Sequence, residues 1–320
     1  MTEPLQSLYA QLADLKRRVP ALKARVAGRK YVESVRQAKE NDRNHSAPRW
    51  VHFAHRGTLE KIEDLLPPPG PHETFELLAT ARNLFENLVW LRLMKTDIGY
   101  GLVFYGHLLR GQRANCEGYL AKMHDEADLF DTAARIDAEI RQELTGAIRS
   151  HGQADANRDV WREEIHRRTA MLDDLIRREF VLYAERAAHN GYGPQASILR
   201  HDAIPRGQQQ LDQVLAFQAA FEAALPALLE PRLQNLATSE WNWSDRASEA
   251  GMDRHYRFID SLTSRLLHAT PINLITDKRL AGEEKRVVLD YIVVATADIL
   301  DIVDEFSYPG MVDLVEVDIE

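Results

Sequence analysis

Two short groups of polar side chains could do chemistry in this sequence, and both lie on helical patterns. In the first group, Arg82 and Glu86 stand four residues apart inside a largely apolar run. Because residues four apart share one face of a helix, these two charges can pair. A charge among apolar neighbours is costly unless it is paired. The pattern therefore predicts an Arg82–Glu86 unit that faces the interior of a helical bundle or a cleft.

The second group forms a ridge with four-residue spacing near residue 260. Its members are Tyr256, Asp260, Ser264 and His268. A protonated imidazole gains from the dipole at the end of a helix, and Ser264 can hydrogen-bond to His268. If these two residues line one pocket with Arg82 and Glu86, the histidine could act as acid or base and the arginine could hold a phosphate. The alternative is a buried polar network that fixes the register of the helices.

The same residues carry a resemblance to a known family. The Arg-x-x-x-Glu helix at Arg82 and Glu86, followed much later by Tyr256 and by Ser-x-x-x-His at Ser264 and His268, looks like a widespread bacterial family known only as a domain of unknown function. The resemblance covers roughly residues 72–306. It implies a helical bundle in which these groups meet, an association with bacterial stress or phage response, and no established chemistry. The first hypothesis for function is a helical binding or assembly module, and it depends on the basic N-terminal arm, the acidic body, the alternating C-terminal tail and the absence of catalytic signatures.

Arg49 and His55 form a second pair, an arginine followed after four to six residues by a histidine. This spacing resembles that of the helical HEPN class, so the alternative hypothesis is a metal-independent ribonuclease similar to that class. The resemblance implies that both side chains reach one phosphate in a dimer cleft. Pro48 and Gly57 bracket the pair and argue against a long helix there. Trp50 stands where the class usually has a polar residue.

Other signatures of catalysis or of cofactor binding are missing from the sequence. It contains no glycine-rich phosphate loop, no dinucleotide fingerprint and no serine-hydrolase elbow. His45, His52 and His55 lie close together, but no fourth ligand accompanies them. We therefore expect neither a cofactor nor a metal.

Charge is unevenly distributed along the chain. Residues 1–56 carry twelve Lys and Arg against five Asp and Glu, a formal charge of +7. Because the net charge of the whole chain is −9, the remaining residues must carry −16. Such an asymmetry can mark a basic arm that binds nucleic acid through its phosphates. Alternatively, the arm packs on its own acidic body or on a neighbouring subunit. We expect a protein partner or a homo-oligomer.

Helical periodicity dominates the 320 residues and predicts an all-α fold, a multi-helix bundle of long antiparallel helices with an N-terminal helical arm. The proline-rich stretch 67–71 is the predicted connector. It separates a basic arm, residues 1–66, from the bundle, residues 72–308, and an acidic tail follows at 309–320. The predicted helices of the bundle cover about 73–95, 102–124, 126–149, 158–188, 208–229, 253–269 and 282–306, with Ser244 capping a shorter one.

Three features of the sequence bear on the partners of the protein and on its location in the cell. Residues 315–320 alternate apolar with acidic, which predicts either a strand that adds to a partner's sheet or a frayed terminus. The most apolar run, 287–303, contains three aspartates, so we expect no membrane span. Cys116 stands alone and no signal-peptide core begins the chain, which favours a cytoplasmic protein.

Overall fold

The protein is all-α, as predicted. The computed structural model describes residues 3–31, 42–66, 74–150, 158–267, 279–308 and 311–313. In chain order its α-helices are α1 (Glu3–Gly28), α2 (Ala47–Leu65), α3 (Thr74–Thr96), α4 (Tyr100–Ser150), α5 (Arg158–Arg178), α6 (Ala184–Asn190), α7 (Tyr192–Ile198), α8 (Ile204–Leu228), α9 (Pro231–Thr238), α10 (Trp243–Glu249), α11 (Asp253–Leu267) and α12 (Gly282–Glu305). Within these ranges, no helix is both long enough and apolar enough to cross a bilayer.

The chain divides into two compact units. Unit 1 consists of Met1–His107 and Phe221–Glu320, and unit 2 consists of Leu108–Ala220. The division falls inside α4 and α8 and away from the proline-rich stretch 67–71, which lies outside the described residues. The sequence composition predicted a domain boundary at that stretch. In the structure, α1 and α2 pack in the same unit as α3 and α12.

Helix α3 is the central element of unit 1 and packs against α2, α11 and α12. It is apolar around most of its circumference, a pattern typical of a helix with neighbours on several sides. Its buried side chains include Leu77, Leu78, Ala81, Leu84, Phe85, Leu88, Val89 and Leu91. Helix α12 contributes a matching face of β-branched and leucine side chains from Val288 to Val303. Packing in this interior fixes the positions of the polar side chains that α3 also carries.

Helix α1, the predicted arm, packs against α2 and α12. Its buried side chains recur at helical spacing and are Leu8, Tyr9, Leu12, Val19, Leu22 and Val26. Its basic side chains pair with acidic ones of the same unit. Arg18 contacts Asp301 at 2.7 Å, and Arg25 contacts Asp304. This arrangement favours the alternative in which the basic arm packs on its own acidic body.

A short antiparallel strand pair joins the two ends of unit 1. Strand β1 (Arg29–Tyr31) follows α1 directly and pairs with β2 (Met311–Asp313), with Lys30 opposite Val312. Residues 311–313 of the predicted tail therefore pair within the chain. The alternating segment 315–320 lies outside the described residues.

Unit 2 has a core of its own between α4, α5 and the short helices α6 and α7. Its buried members are Leu120, Met123, Ala127, Phe130, Ala133, Leu172, Ile176, Ala187, Tyr192, Ala196 and Leu199. Helix α4 supplies this core continuously, although two helices meeting near residue 125 were predicted. No proline or glycine interrupts the chain there, so the helix simply continues.

Several other helix limits differ from the predictions, each for a local reason. Helix α5 ends at Arg178 and not near residue 188, since Phe180 has a positive φ of 59°.

Helix α2 begins at Ala47 with Pro48 in its first turn, where proline is tolerated. Thr58 is buried inside α2. The stretch before residue 208, predicted as a loop, contains α7 and a π-helical turn at 199–203.

The helix predicted to be capped at Ser244 is capped two residues earlier, at Asn242. Helix α10 begins at Trp243, and the side chain of Asn242 accepts hydrogen bonds from the backbone N–H groups of Ser244 and Asp245. Asparagine is among the best N-cap residues because its short side chain reaches these free N–H groups.

Candidate functional site

Two polar side chains of α3, Thr80 and Asn87, reach α2 by hydrogen bonds and join the two helices. The Thr58 hydroxyl of α2 donates to Oδ1 of Asn87 over 3.3 Å, and the Asn87 amide donates to Oδ1 of Asn83 over 2.7 Å. Further along, the hydroxyl of the buried Thr80 lies 3.5 Å from the Leu65 carbonyl oxygen. These groups hold the register of α2 on α3.

Arg82 is the centre of an ion-pair cluster that joins α3 to α11. Its Nε donates to Oε1 of Glu86 over 2.6 Å, which is the predicted pair. Its Nη1 also donates to Oδ1 of Asp260 over 3.2 Å. The side chains of Arg82, Glu86 and Asp260 are 26%, 32% and 43% exposed, so the cluster lies at the edge of the helix packing and not in its interior.

The electrostatics of this cluster keep the guanidinium charged. Partial burial lowers the pKa of Arg82, but its hydrogen bonds to the carboxylates of Glu86 and Asp260, together with their negative charges, outweigh burial and raise the pKa overall. Two carboxylates therefore already accept hydrogen bonds from Nε and Nη1, two of the nitrogens with which the guanidinium would bind an oxyanion. The arrangement suits a structural clamp between α3 and α11.

The predicted ridge on α11 meets α3 through its first two members. The rings of Tyr256 and Phe85 lie 6.0 Å apart, and Asp260 contacts Arg82 one turn later. Ser264 lies on α11, and its side chain is outside the described part of the structure. His268 lies beyond the described residues of that helix. A pocket shared by Arg82 and His268 thus stays a prediction.

The second candidate pair, Arg49 and His55, lies on α2. Six residues on a helix correspond to a rise of about 9 Å and a rotation of about 120° between the two side chains. Arg49 is half-buried, and its guanidinium lies over the Phe53 ring, 5.4 Å from the centroid. His55 packs edge-on against Phe306, with 4.8 Å between ring centroids. The helix therefore turns these two side chains toward different neighbours.

His55 is buried and neutral. It is 1% exposed, and its Nε2 has no hydrogen-bond partner among the described residues. Burial, together with the nearby charge of Arg29, lowers the pKa of His55 to about 3. An imidazole in this position cannot contact a phosphate from solvent unless α2 moves.

The three histidines of this region face separate neighbours. His45 lies beside Phe221, His52 beside Phe53, and His55 beside Phe306. In the described ranges, no group of three or more His, Cys, Asp or Glu side chains is arranged to hold a metal ion.

Sequence reasoning missed a polar cluster in which three helices of unit 1 meet. Glu249 of α10 contacts Arg232 of α9 at 2.5 Å and Arg246 at 2.7 Å, and it accepts a hydrogen bond from the Tyr100 hydroxyl of α4. Burial and the Glu249 carboxylate raise the pKa of Tyr100 to about 12. The spacing of Arg246 and Glu249 within α10 was a local signal for one pair. No local pattern indicates that Arg232 and Tyr100 join them, because those two residues come from other helices.

An aromatic cluster in unit 1 was missed as well. The rings of Trp90 and Trp241 stack with 3.8 Å between centroids, and the His107 ring packs edge-on against Trp241 at 4.8 Å. His107 Nε2 lies 2.9 Å from the Leu236 carbonyl oxygen. The closely spaced Trp241 and Trp243 were the available signal, since large aromatic side chains usually contribute to cores or interfaces.

Comparison with models of protein families, with curated proteins and with solved structures finds no match to this chain. The resemblance to the bacterial family therefore stays a prediction.

Proposed function

We propose that this chain is a helical binding and assembly module whose exposed surface, and not a catalytic pocket, carries its function. The observation on which this depends is the exposure of large apolar side chains along α5 and the turn after it. These side chains are Met171, Leu175, Phe180 and Leu182. Apolar side chains clustered on a surface usually mark a site of protein contact.

Phe180 gives the proposal its sharpest support. Its ring is 90% exposed, and its backbone has a φ of 59°, which is unfavourable for a bulky residue. Strain of this kind costs about 1–2 kcal/mol and persists only where the surroundings impose it. The chain gains little from an aromatic ring in water, so a partner that covers the ring would explain its position.

Unit 2 contains the contacts that impose this turn. The carboxylate of Glu126, which is buried in α4, accepts hydrogen bonds from the N–H groups of Leu182 at 2.6 Å and Tyr183 at 3.2 Å. Lys122 donates to the Glu179 carbonyl over 3.1 Å. Helix α4 thus secures the turn on both sides of Phe180 and keeps the ring pointing outward.

The candidate catalytic residues support the same proposal. Arg82 is engaged by two carboxylates, and His55 is buried with its pKa lowered to about 3. A ribonuclease that used His55 would need α2 to open. The proposed setting, a bacterial stress or phage response, depends on the resemblance alone.

The test is to incubate the purified protein with total RNA, with and without EDTA, and to measure its mass in solution by light scattering. We expect intact RNA and a mass above that of the monomer. RNA cleavage that persists in EDTA and disappears in His55→Ala or His268→Ala would overturn the proposal in favour of the ribonuclease.

A further inference from the structure

Helix α5 packs on unit 2 with one face and leaves the opposite face in solvent. Leu172 and Ile176 belong to the core of that unit. The outward face carries exposed side chains at helical spacing, and these are Glu163, Arg167, Ala170, Met171, Asp174 and Arg178. Met171 is 60% exposed, so a large apolar side chain lies in the middle of a charged face.

The charges of this face are opposite in sign at equal distances from its midpoint, between Ala170 and Met171. Arg167 lies three residues before Ala170, and Asp174 lies three residues after Met171. At seven residues on either side the charges are those of Glu163 and Arg178. The other charges of residues 162–179 follow the same rule, in the pairs Arg162 with Glu179, Glu164 with Arg177, and Arg168 with Asp173.

This pattern fits a second copy of α5 that runs antiparallel to the first. A two-fold axis perpendicular to the helix at this midpoint would point outward through the exposed face, because the outward residues are distributed symmetrically around that point. With a rise of about 1.5 Å per residue, Arg167 meets Asp174 of the partner subunit about 5 Å from the axis along the helix. Glu163 meets Arg178 of the partner subunit about 11 Å from it.

The present contacts of these charges do not prevent such an exchange. Arg167 pairs with Glu164 at 2.7 Å and Arg178 pairs with Asp174 at 2.7 Å, both within the helix. The side chains of Arg167, Arg178 and Asp174 are more than half exposed, and pairs in solvent are weak. At the midpoint the small Ala170 allows close approach of two helices, and Met171 would leave water.

We propose that two copies of this chain associate through α5, antiparallel, about a two-fold axis between Ala170 and Met171. The proposal rests on the assembly function above and names its partner as a second copy. A different protein would have no reason to match a charge pattern that is complementary to itself. One helix pair buries less than the about 1,600 Å² of a standard stable interface, so we expect a Kd in the micromolar range.

Charge reversal tests the pairing directly. In an acidic variant, Arg167→Glu with Arg178→Glu, the outward charges of α5 all become negative. In a basic variant, Glu163→Arg with Asp174→Arg, they all become positive. The mass in solution is measured by sedimentation as a function of concentration. We expect the wild-type mass to approach that of a dimer, and each variant alone to associate about tenfold more weakly or worse.

An equimolar mixture of the two variants provides the decisive result. Every reversed charge then meets an opposite one, so we expect the mixture to form a heterodimer although neither variant forms a homodimer. Rescue on mixing also demonstrates that both variants are folded. A wild type that stays monomeric at several hundred micromolar would overturn the proposal. Variants that associate as strongly as the wild type would overturn it equally.

Two controls locate the contact on α5. Arg113→Glu with Arg206→Glu changes the net charge by the same amount as the acidic variant, at exposed positions on α4 and α8. This control should dimerise like the wild type. In a Cys116→Ser background, Ala170→Cys should cross-link with a short bifunctional maleimide. Glu163→Cys should not, because the two copies of residue 163 would lie about 22 Å apart.

The pairing and the assembly function can fail separately. RNA cleavage would overturn the assembly function and leave the mass of the dimer unchanged. A dimer that ignores the charge reversals would overturn pairing through α5 and leave the assembly function intact.

Discussion

Arg82 contacts carboxylates from two helices, and the exposure of the three side chains limits what these contacts contribute. The pair with Asp260 joins α3 to α11 across 3.2 Å, but Asp260 is 43% exposed. Solvent-exposed pairs usually contribute less than about 1 kcal/mol. We predict a coupling free energy of about 0.5–1 kcal/mol between Arg82→Met and Asp260→Asn in a double-mutant cycle measured by urea unfolding.

A matched cycle on the same helix provides the control. Arg257 and Asp253 form an exposed pair within one stretch of α11, so their coupling should be smaller, about 0.3 kcal/mol. Equal couplings in the two cycles would contradict a clamp between α3 and α11. A coupling above about 3 kcal/mol for Arg82 and Asp260 would indicate a buried pair instead.

His55 gives the protein a pH dependence with a definite sign. The folded pKa of about 3 lies below the ordinary value of 6.5, so the unfolded state binds more protons between these two pH values. Stability therefore falls as pH decreases below about 6.5, by up to about 1.4 kcal/mol per pH unit. We predict that His55→Gln removes about 2 kcal/mol of the stability difference between pH 7 and pH 5, measured by urea unfolding.

His189→Gln is the control for this prediction, because His189 is exposed on α6. It should leave the pH dependence of unfolding close to that of the wild type. If His55→Gln had the same pH dependence as the wild type, His55 would have to be accessible to protons in the folded state.

Gly106 and Gly111 of α4 have different surroundings. The absence of a side chain at Gly106 allows α9 to pack closely against α4. A Cβ added at Gly106 would meet the backbone carbonyl of Ala237 and would lie 3.1 Å from the Phe221 ring. Backbone cannot yield as a flexible side chain can. We predict that Gly106→Ala lowers the free energy of unfolding by about 2 kcal/mol, measured by chemical denaturation.

Gly111 lies on the same helix with nothing within 4 Å of an added Cβ. Gly111→Ala should raise the free energy of unfolding by about 0.5–1 kcal/mol, since alanine favours the helix. Opposite signs are thus expected for the same substitution five residues apart. A stabilising Gly106→Ala would mean that α9 does not approach α4 closely.

The packing of α1 determines whether the basic segment belongs to unit 1 or extends from it. Leu12 is buried against this unit, whereas its neighbour Gln11 is exposed. We predict that Leu12→Ala lowers the free energy of unfolding by about 2–5 kcal/mol. Gln11→Ala should change it by less than about 0.5 kcal/mol. Equal, small effects of the two substitutions would instead describe a detached arm.

The sequence by itself determined the helical class of this protein and the contacts that form within one helix. Periodic apolar residues predict helices because the period of 3.6 residues is a local property. Arg82 and Glu86 could be paired for the same reason, since four residues bring them to one face. Pro48 and Gly57 wrongly argued against a long helix at α2, because Pro48 lies in the first turn of that helix and Gly57 lies within it.

Tertiary structure alone decided which distant groups meet. Asp260 reaches Arg82 across 178 residues, and Glu249 gathers partners from three helices. Burial of His55 and the packing of α1 on α12 likewise depend on neighbours far along the chain. Local propensity carries no information on such contacts, because they arise from the joint packing of many apolar faces. The sequence therefore determined the elements, and packing decided which of their polar groups are engaged and which face solvent.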